Sequence, residues 1–380
     1  MQSVELPHGH VELARHPDGD DQLRAWDAAD VLLLRHLVDE RVDLDGSVVI
    51  LNDAWGALAT DLAEQEPTSI TDSHVSQLAT RANLAHNRLD ARVAVVDGLG
   101  PPPPRIDVLL VRVPKSLALL EDQLRRLAPA LHPATAVVGA SMTRNLHTST
   151  LAVFERVLGP TRTSLAERKA RLVFAVPDPT LDPGPSPWPS TFTVAPDGLA
   201  VTSHAGVFAG DHLDIGTRLL LDHLPVATGA RTVIDLGCGN GIVGTRHAQA
   251  DPDAHVRFVD ESFRAVASAE ITFCAALGPG RAADFVVGDG ILAPATGAPP
   301  ARGSVDLVLN NPPFHRDHGV GDATAWQMFH DAHAVLRTGG ELWVVGNRHL
   351  GYHAKLRRIF GRADVVASTP KFVVLRATRR

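Results

Sequence analysis

The chain runs through one order of elements twice, and that repetition restricts its fold more than any other feature. In the second half, four short apolar runs each lead into a station of glycine, acid or amide. Residues 232–236 lead into Gly237, 256–259 into Asp260, 285–287 into Asp289, and 306–309 into Asn310 and Asn311. The first half repeats the order: residues 48–51 lead into Asn52, 69–71 into Asp72, 93–96 into Asp97, and 107–111 into Arg112. Spacing that drifts only by loop-sized steps over four stations is the mark of a duplicated domain.

Between the runs lie amphipathic segments such as 263–277 and 325–336, so the strands are expected to be parallel with helical crossovers. Each half reads as an α/β, doubly wound, Rossmann-like sandwich. Residues 341–345 and 371–377, the latter reached through a Ser368-Thr369-Pro370 turn, should close the second sheet with an antiparallel last strand. Six prolines fall between Pro177 and Pro189, and no packed helix or strand tolerates that density. The expected domains are therefore 1–176 and 191–380, with 177–190 as a semi-rigid, proline-rich linker.

The chemistry at matching stations differs. Gly237, Gly239 and Gly241 are set against Ala54, Gly56 and Leu58, and Asn311 against Arg112. The first copy is therefore expected to be degenerate, a non-catalytic copy kept for RNA binding or as a scaffold.

Composition excludes several classes. The chain has 380 residues, 44% of them hydrophobic and 21% charged, and no long uninterrupted apolar stretch, so a soluble, cytoplasmic protein with no membrane partner is expected. Its two cysteines, Cys238 and Cys274, lack metal or redox spacing and read as packing residues. The spacings of His330 with His333 and His349 with His353 lack acidic or cysteine partners, so no metal is expected. The net charge of −7 argues against a nucleic-acid partner only until its distribution is considered. Residues 348–380 carry nine Lys or Arg against one acid, Asp364, a local balance of 9 − 1 = +8. Such a basic edge suits a phosphate backbone, or else is a solvated face.

Val233-Ile234-Asp235-Leu236-Gly237-Cys238-Gly239-Asn240-Gly241 places an acid at a strand end, then three glycines at alternate positions. A dinucleotide loop spaces its glycines G-x-G-x-x-G to hold a diphosphate. The G-x-G-x-G spacing here, with Asp235 before it, suits a ligand bearing an ammonium and a sulfonium, and S-adenosylmethionine is that ligand. Asp260, at the next strand end, can accept ribose hydroxyls or cap the helix that follows. Asp289, between two glycines, can accept an adenine amino group or serve only the turn.

Asn310-Asn311-Pro312-Pro313-Phe314-His315 ends the fourth run. Two prolines stiffen the backbone and remove donors, so Asn311 stands on a rigid turn. Its side chain and the Pro312 carbonyl can accept both N–H groups of an exocyclic amine, and Phe314 offers a face for stacking a base. A planar amine is the expected substrate, and Asn311, Pro312 and Phe314 are the expected catalytic residues. His315 is not assigned as a base, because the proton can leave after methyl transfer.

These motifs resemble the class I methyltransferases over essentially the whole chain. More narrowly, they resemble the bacterial ribosomal RNA guanine-N2 methyltransferases built from two tandem copies of the fold. The text Asn310 to His315, then Ala325-Trp326-Gln327-Met328-Phe329-His330, Asn347-Arg348-His349-Leu350 and Lys371-Phe372-Val373-Val374-Leu375, looks like the large-subunit enzymes. Val113-Pro114-Lys115-Ser116 and His147-Thr148-Ser149-Thr150 in the first half are similar to the same family. The resemblance implies methyl transfer from S-adenosylmethionine to N2 of a guanine in 23S rRNA, with free or early-assembly RNA as the partner and a monomeric enzyme. It also implies that Phe208 and Asp214 help enclose the cofactor with Asp235, Gly237, Gly239, Gly241, Asp260, Asp289 and Asn311. The rival readings are a small-subunit 16S rRNA enzyme, a DNA adenine or protein glutamine methyltransferase, and an RNA-binding assembly protein without activity.

Overall fold

The computed structural model describes residues 1–16, 23–225, 229–313 and 318–380, with the backbone only for 318–322. Phe314 lies outside the described residues. The chain divides into two compact units, Met1–Pro187 and Trp188–Arg380.

Each unit holds a seven-stranded sheet, and the two sheets have the same strand order. In the second unit, Thr232–Leu236 lies at the centre, flanked by His255–Asp260 and then Ala283–Val287 on one side. On the other side come Val305–Asn310, Leu336–Asn347, Phe372–Thr378 and the edge strand Asp364–Ser368. The first five of these, counted along the chain, pair in parallel. Phe372–Thr378 pairs antiparallel with both its neighbours, as expected for the last strand. Asp364–Ser368 was not anticipated: the Ser368-Thr369-Pro370 turn is the tip of a hairpin whose first strand is half exposed and weakly patterned.

The first unit follows suit, with Val48–Leu51 central, Thr68–Ile70 and Ala94–Val96 to one side, and Ile106–Arg112, Leu131–Met142, Ala170–Ala175 and Thr161–Thr163 to the other. Val48, Val49, Ile50 and Leu51 are all buried, as a strand covered on both faces requires. Helix starts are set by side-chain caps. Ser73 Oγ accepts from Ser76 N at 3.1 Å, and Ser262 Oγ from Ala265 N at 3.0 Å. Packing beneath the second sheet includes a cluster of Phe258, Phe273 and Phe285, with Phe258 and Phe285 stacked at 5.1 Å.

Each unit also opens on a two-stranded hairpin that the sequence reading did not foresee. In the first it pairs Gln2–Leu6 with Gly9–Leu13, and in the second Ser190–Val194 with Leu199–Ser203. Hairpins this short carry too few apolar positions to announce themselves as strands. The proline-rich segment likewise differs from a bare connector. As far as Ser186 it lies against the first unit, with Asp178 N donating to Leu158 O at 2.7 Å and Ser186 Oγ donating to Asp122 at 3.1 Å. Arg125 also donates to the carbonyls of Pro183 and Gly184.

Shared backbone landmarks fix the correspondence between the units and correct one expectation. Gly56 and Gly241 are both left-handed residues capping the helix after the first strand, with φ of 82° and 76°. Asn52 and Gly237 are both left-handed, φ 60° and 69°, and each donates its N–H to the second strand, to Ile70 O at 2.9 Å and Val259 O at 2.8 Å. Gly56 therefore answers to Gly241 rather than Gly239, and Asn52 to Gly237. At the second station Thr71 takes the place of Asp260, because each side chain accepts from the N–H of the capping serine two residues on. Arg112 and Asn311 do correspond, the one ending and the other directly following a fourth strand that carries the same register shift.

Candidate active site

The three glycines after the first strand of the second unit serve different purposes. A Cβ on Gly241 would come within 2.7 Å of Ala269 Cα and Cβ, so this glycine permits two helices to approach. A Cβ on Gly237 would stand 3.5 Å from the Asn311 carbonyl oxygen and 3.4 Å from Met328 Cε. The glycine loop and the Asn-Pro-Pro turn thus share one neighbourhood. Over Gly239 a Cβ would meet nothing within 4 Å. Gly239 is left-handed at φ +53° and faces open space, so no protein atom bars a ligand such as S-adenosylmethionine from its backbone.

The acids around the loop brace it. Asp235, 2% exposed, accepts from Gly244 N at 2.8 Å. Burial pushes its pKa up to about 7, with the Asp260 charge adding to the rise and the Gly244 hydrogen bond opposing it. Asp260 accepts from Gly239 N with one oxygen and Ser262 N with the other, each at 3.0 Å, which joins its capping role to the loop itself. Burial and the two nearby carboxylates raise the Cys238 thiol well above its usual range, consistent with a packing role.

Asp289 N donates to Ala293 O at 3.0 Å within a tight loop. That loop is held from beneath by Asp331, whose Oδ2 accepts from Ile291 N at 3.0 Å and Leu292 N at 3.3 Å. Gly290 leaves room for it: a Cβ there would fall 2.5 Å from Asp331 Oδ2. Sequence reasoning missed Asp331, a buried acid on a long helix remote in sequence from the loop it holds.

Phe208 is 50% exposed, on a segment tethered to the glycine loop by Asn240, whose Nδ2 lies 3.2 Å from Ser203 Oγ and 3.5 Å from Ala209 O. Asp214 caps the helix Ile215–Leu221, accepting from Thr217 N at 2.9 Å. This helix rests on the last strands, because Gly216 presents no Cβ to the Phe372 ring.

At the fourth station, buried Asn310 donates its Nδ2 to Leu236 O at 2.7 Å, clamping the fourth strand to the end of the first. The next residue, Asn311, donates its Nδ2 to Thr217 Oγ1 at 3.0 Å, while its buried Oδ1 has no hydrogen-bond partner among the described residues. Pro312 beside it is buried. Neither Asn310 nor Thr217 was singled out from sequence; a polar residue inside a strand end and a threonine three after a cap were the signals available. Among the described residues this leaves an acceptor without a donor on the residue whose backbone carbonyl lies against Gly237, which suits an amine brought to the glycine loop.

On the surface, the basic segment is partly neutralised. Arg362 Nε and Arg376 Nη2 pair with Asp364, at 2.9 and 3.2 Å. Arg348, Arg357, Arg358 and Lys371 are exposed. Among the described residues no cluster of His, Cys, Asp and Glu could hold a metal ion, and no helix is long and apolar enough to cross a membrane.

A mostly parallel sheet closed by an antiparallel strand, with a glycine loop after its first strand, an acid at the end of its second and an Asn-Pro-Pro turn after its fourth, defines a class I methyltransferase, an enzyme that uses S-adenosylmethionine. Residues 1–179 match the family described as "RLMG N-terminal domain", and residues 198–376 match "Methyltransferase small domain". The "Ribosomal RNA large subunit methyltransferase G" of Streptomyces avermitilis is 58% identical over 98% of this chain and 98% of its own. The protein of the same name from Aeromonas hydrophila is 46% identical over 99% of each chain. The chain belongs to the ribosomal RNA large subunit methyltransferase G family. Its fold over the whole length is also that of a T. thermophilus 16S rRNA N2 guanine methyltransferase, RsmC, solved with AdoMet and guanosine. That match has a TM-score of 0.75 at 20% identity and covers 100% of this chain and 98% of the other.

Proposed function

We propose that this protein transfers a methyl group to the exocyclic N2 of one guanine in 23S rRNA, yielding N2-methylguanine and S-adenosylhomocysteine. The carrying observation is Asn311 Oδ1, which has no hydrogen-bond partner among the described residues, on a residue whose backbone carbonyl lies against Gly237. When bound, S-adenosylmethionine supplies an electrophilic methyl on a sulfonium. Gly237, Gly239, Gly241 and Asp260 would hold it, with Asp235 bracing the loop, Asp289 at the adenine end, and Phe208 and Asp214 on the open side. Asn311 Oδ1 and the Pro312 carbonyl would each accept one N–H of the guanine amine and fix its direction of approach. Positive charge grows on that nitrogen during transfer, so the same acceptors stabilise the transition state more than the ground state. Phe314 would stack the base, which must leave its own stack to enter.

The names of the relatives support the large-subunit substrate, and the fold shared with an N2-guanine enzyme supports the atom. In the first unit Asn52 stands where Gly237 stands in the second, and Arg112 where Asn311 stands. That unit reads as a degenerate copy without cofactor, kept for RNA binding or as a scaffold. Free or early-assembly RNA is the expected partner, met in the cytoplasm by a monomeric enzyme through the exposed arginines of residues 348–380.

The test is incubation of the protein and methyl-labelled cofactor with 23S and 16S RNA from a strain lacking the gene, followed by mass mapping of modified nucleotides. Label as N2-methylguanine at one 23S position is the expected result. Label confined to 16S RNA, DNA or protein would overturn the reading.

A further inference from the structure

We propose that Thr217 is a positioning residue that orients the Asn311 amide so that its oxygen, not its nitrogen, meets the substrate amine. The proposal rests on the reading of Asn311 given above and adds what decides its direction.

An asparagine amide has two ends of similar shape and opposite function: the oxygen accepts and the nitrogen donates. An exocyclic amine of guanine offers only N–H groups in the plane of the base, so an amide turned the wrong way would face donor to donor. Pro312 and Pro313 fix the backbone of the turn but leave the side-chain amide free to rotate by half a turn. Something must select one orientation, and among the described residues this amide is held by its hydrogen bond to Thr217.

Thr217 is 6% exposed and occupies the third position after the cap Asp214 in the helix Ile215–Leu221. Its own N–H donates to Asp214 Oδ2 at 2.9 Å, and its hydroxyl donates to the same oxygen at a longer 3.4 Å. With its hydrogen directed to a carboxylate, the hydroxyl has lone pairs left to offer. It can therefore receive Asn311 Nδ2 at 3.0 Å but has no donor for Asn311 Oδ1. The order Asp214, Thr217, Asn311 thus runs as acceptor, donor-acceptor, donor, and ends with Oδ1, which has no partner among the described residues. A valine, of the same shape, would remove the selection.

The first unit carries the same three-point arrangement in a different chemistry, which shows that the geometry belongs to the fold. There Asp27 is the cap, Asp30 is the third residue after it, and Arg112 stands in the place of Asn311. Arg112 reaches Asp30 at 2.8 Å and Asp27 at 2.9 Å. In both units the third residue of the capped helix receives the side chain from the end of the fourth strand. Only the second unit makes that residue a hydroxyl and leaves a free acceptor beyond it.

The experiment compares Thr217→Val, Thr217→Ala and Thr217→Ser with the parent in the full chain, beside Asn311→Ala. Loss of the hydroxyl should lower kcat about tenfold to a hundredfold while the Kd for S-adenosylmethionine, measured by calorimetry, moves less than about threefold. Serine should restore most of the rate. A second readout does not depend on turnover: the side-chain NH₂ signals of Asn311, identified by their loss in Asn311→Ala, should shift in the valine and alanine variants and return in the serine one. Wild-type kcat in both hydroxyl-free variants, a loss that serine fails to rescue, or an equal loss of cofactor affinity would each overturn the role of Thr217. An active Asn311→Ala would instead overturn the reading of the site, so the two failures are separable.

Discussion

Arg112 Nε lies 2.8 Å from Asp30 Oδ1, and this ion pair occupies in the first unit the position that an unpaired acceptor occupies in the second. Arg112 also reaches Asp27 and the Ala140 carbonyl, while Asn52 and Gln123 exchange amide hydrogen bonds beside it at 2.9 and 2.8 Å. Side chains thus close on one another where the second unit leaves room. Burial pushes the Asp30 carboxyl upward to about 7 against the opposing pull of Arg112. With Met in place of Arg112 that pull is gone, so buried Asp30 should take up a proton at neutral pH and lose its cation, at a cost of up to about 3–5 kcal/mol, read as a lower urea midpoint of the first unit. Cofactor affinity, measured in the same full chain, should stay within about threefold of the parent, since Arg112 belongs to the other compact unit.

Asn311→Ala should abolish the acceptor without disturbing the glycine loop. A drop in kcat of roughly 10²–10³-fold is expected, the scale for removing one acceptor or donor tuned to the transition state. Equilibrium binding of S-adenosylmethionine is the control. A parallel collapse of cofactor affinity would mean that Asn311 acts in the cofactor pocket alone.

Asp235 gives the second unit a calculable pH dependence. Its folded pKa, about 7, stands above the ordinary 3.8, so the folded state keeps a proton that the unfolded chain releases. The resulting cost is absent below about pH 4, grows as pH rises toward 7 and is constant above that, reaching at most roughly 4 kcal/mol. In Asp235→Asn the amide oxygen can keep the Gly244 bond. The variant should match the parent near pH 4 and melt at higher temperature at pH 8. Equal melting temperatures at pH 8 would refute the burial argument.

Gly56→Ala and Gly241→Ala form a matched pair. Each forces a left-handed alanine, and each Cβ falls 2.7 Å from backbone, of Thr80 in one unit and Ala269 in the other. The backbone conformation alone costs about 1–2 kcal/mol, and the contact adds to it. Gly198→Ala is the control, left-handed at φ +73° but with nothing within 4 Å of its Cβ. Urea unfolding should rank both paired variants below the control.

Asp331→Ala should loosen the loop that carries Asp289, because two backbone N–H groups lose their acceptor. About a tenfold rise in the Kd for S-adenosylmethionine is expected, the size of one lost buried hydrogen bond expressed through binding. S-adenosylhomocysteine should weaken in parallel, since in the proposed reading Asp289 meets the adenosine that both share.

The sequence by itself determined the class of fold, the order of the four stations and the glycine loop with its Asn-Pro-Pro turn. These rest on local rules: apolar runs of strand length, glycine where φ is positive, and proline where backbone must be stiff. It also paired Arg112 with Asn311 correctly. Tertiary structure decided what local rules cannot reach. The alignment of Gly56 with Gly241 follows from backbone landmarks two residues out of step with the sequence spacing. The hold of Asp331 on the Asp289 loop spans 40 residues. The bond from Asn311 to Thr217 spans 94, joining a strand end to a helix start that no sequence period connects. Hydrogen bonds of such reach depend on where two elements meet, and only the packed chain brings them together.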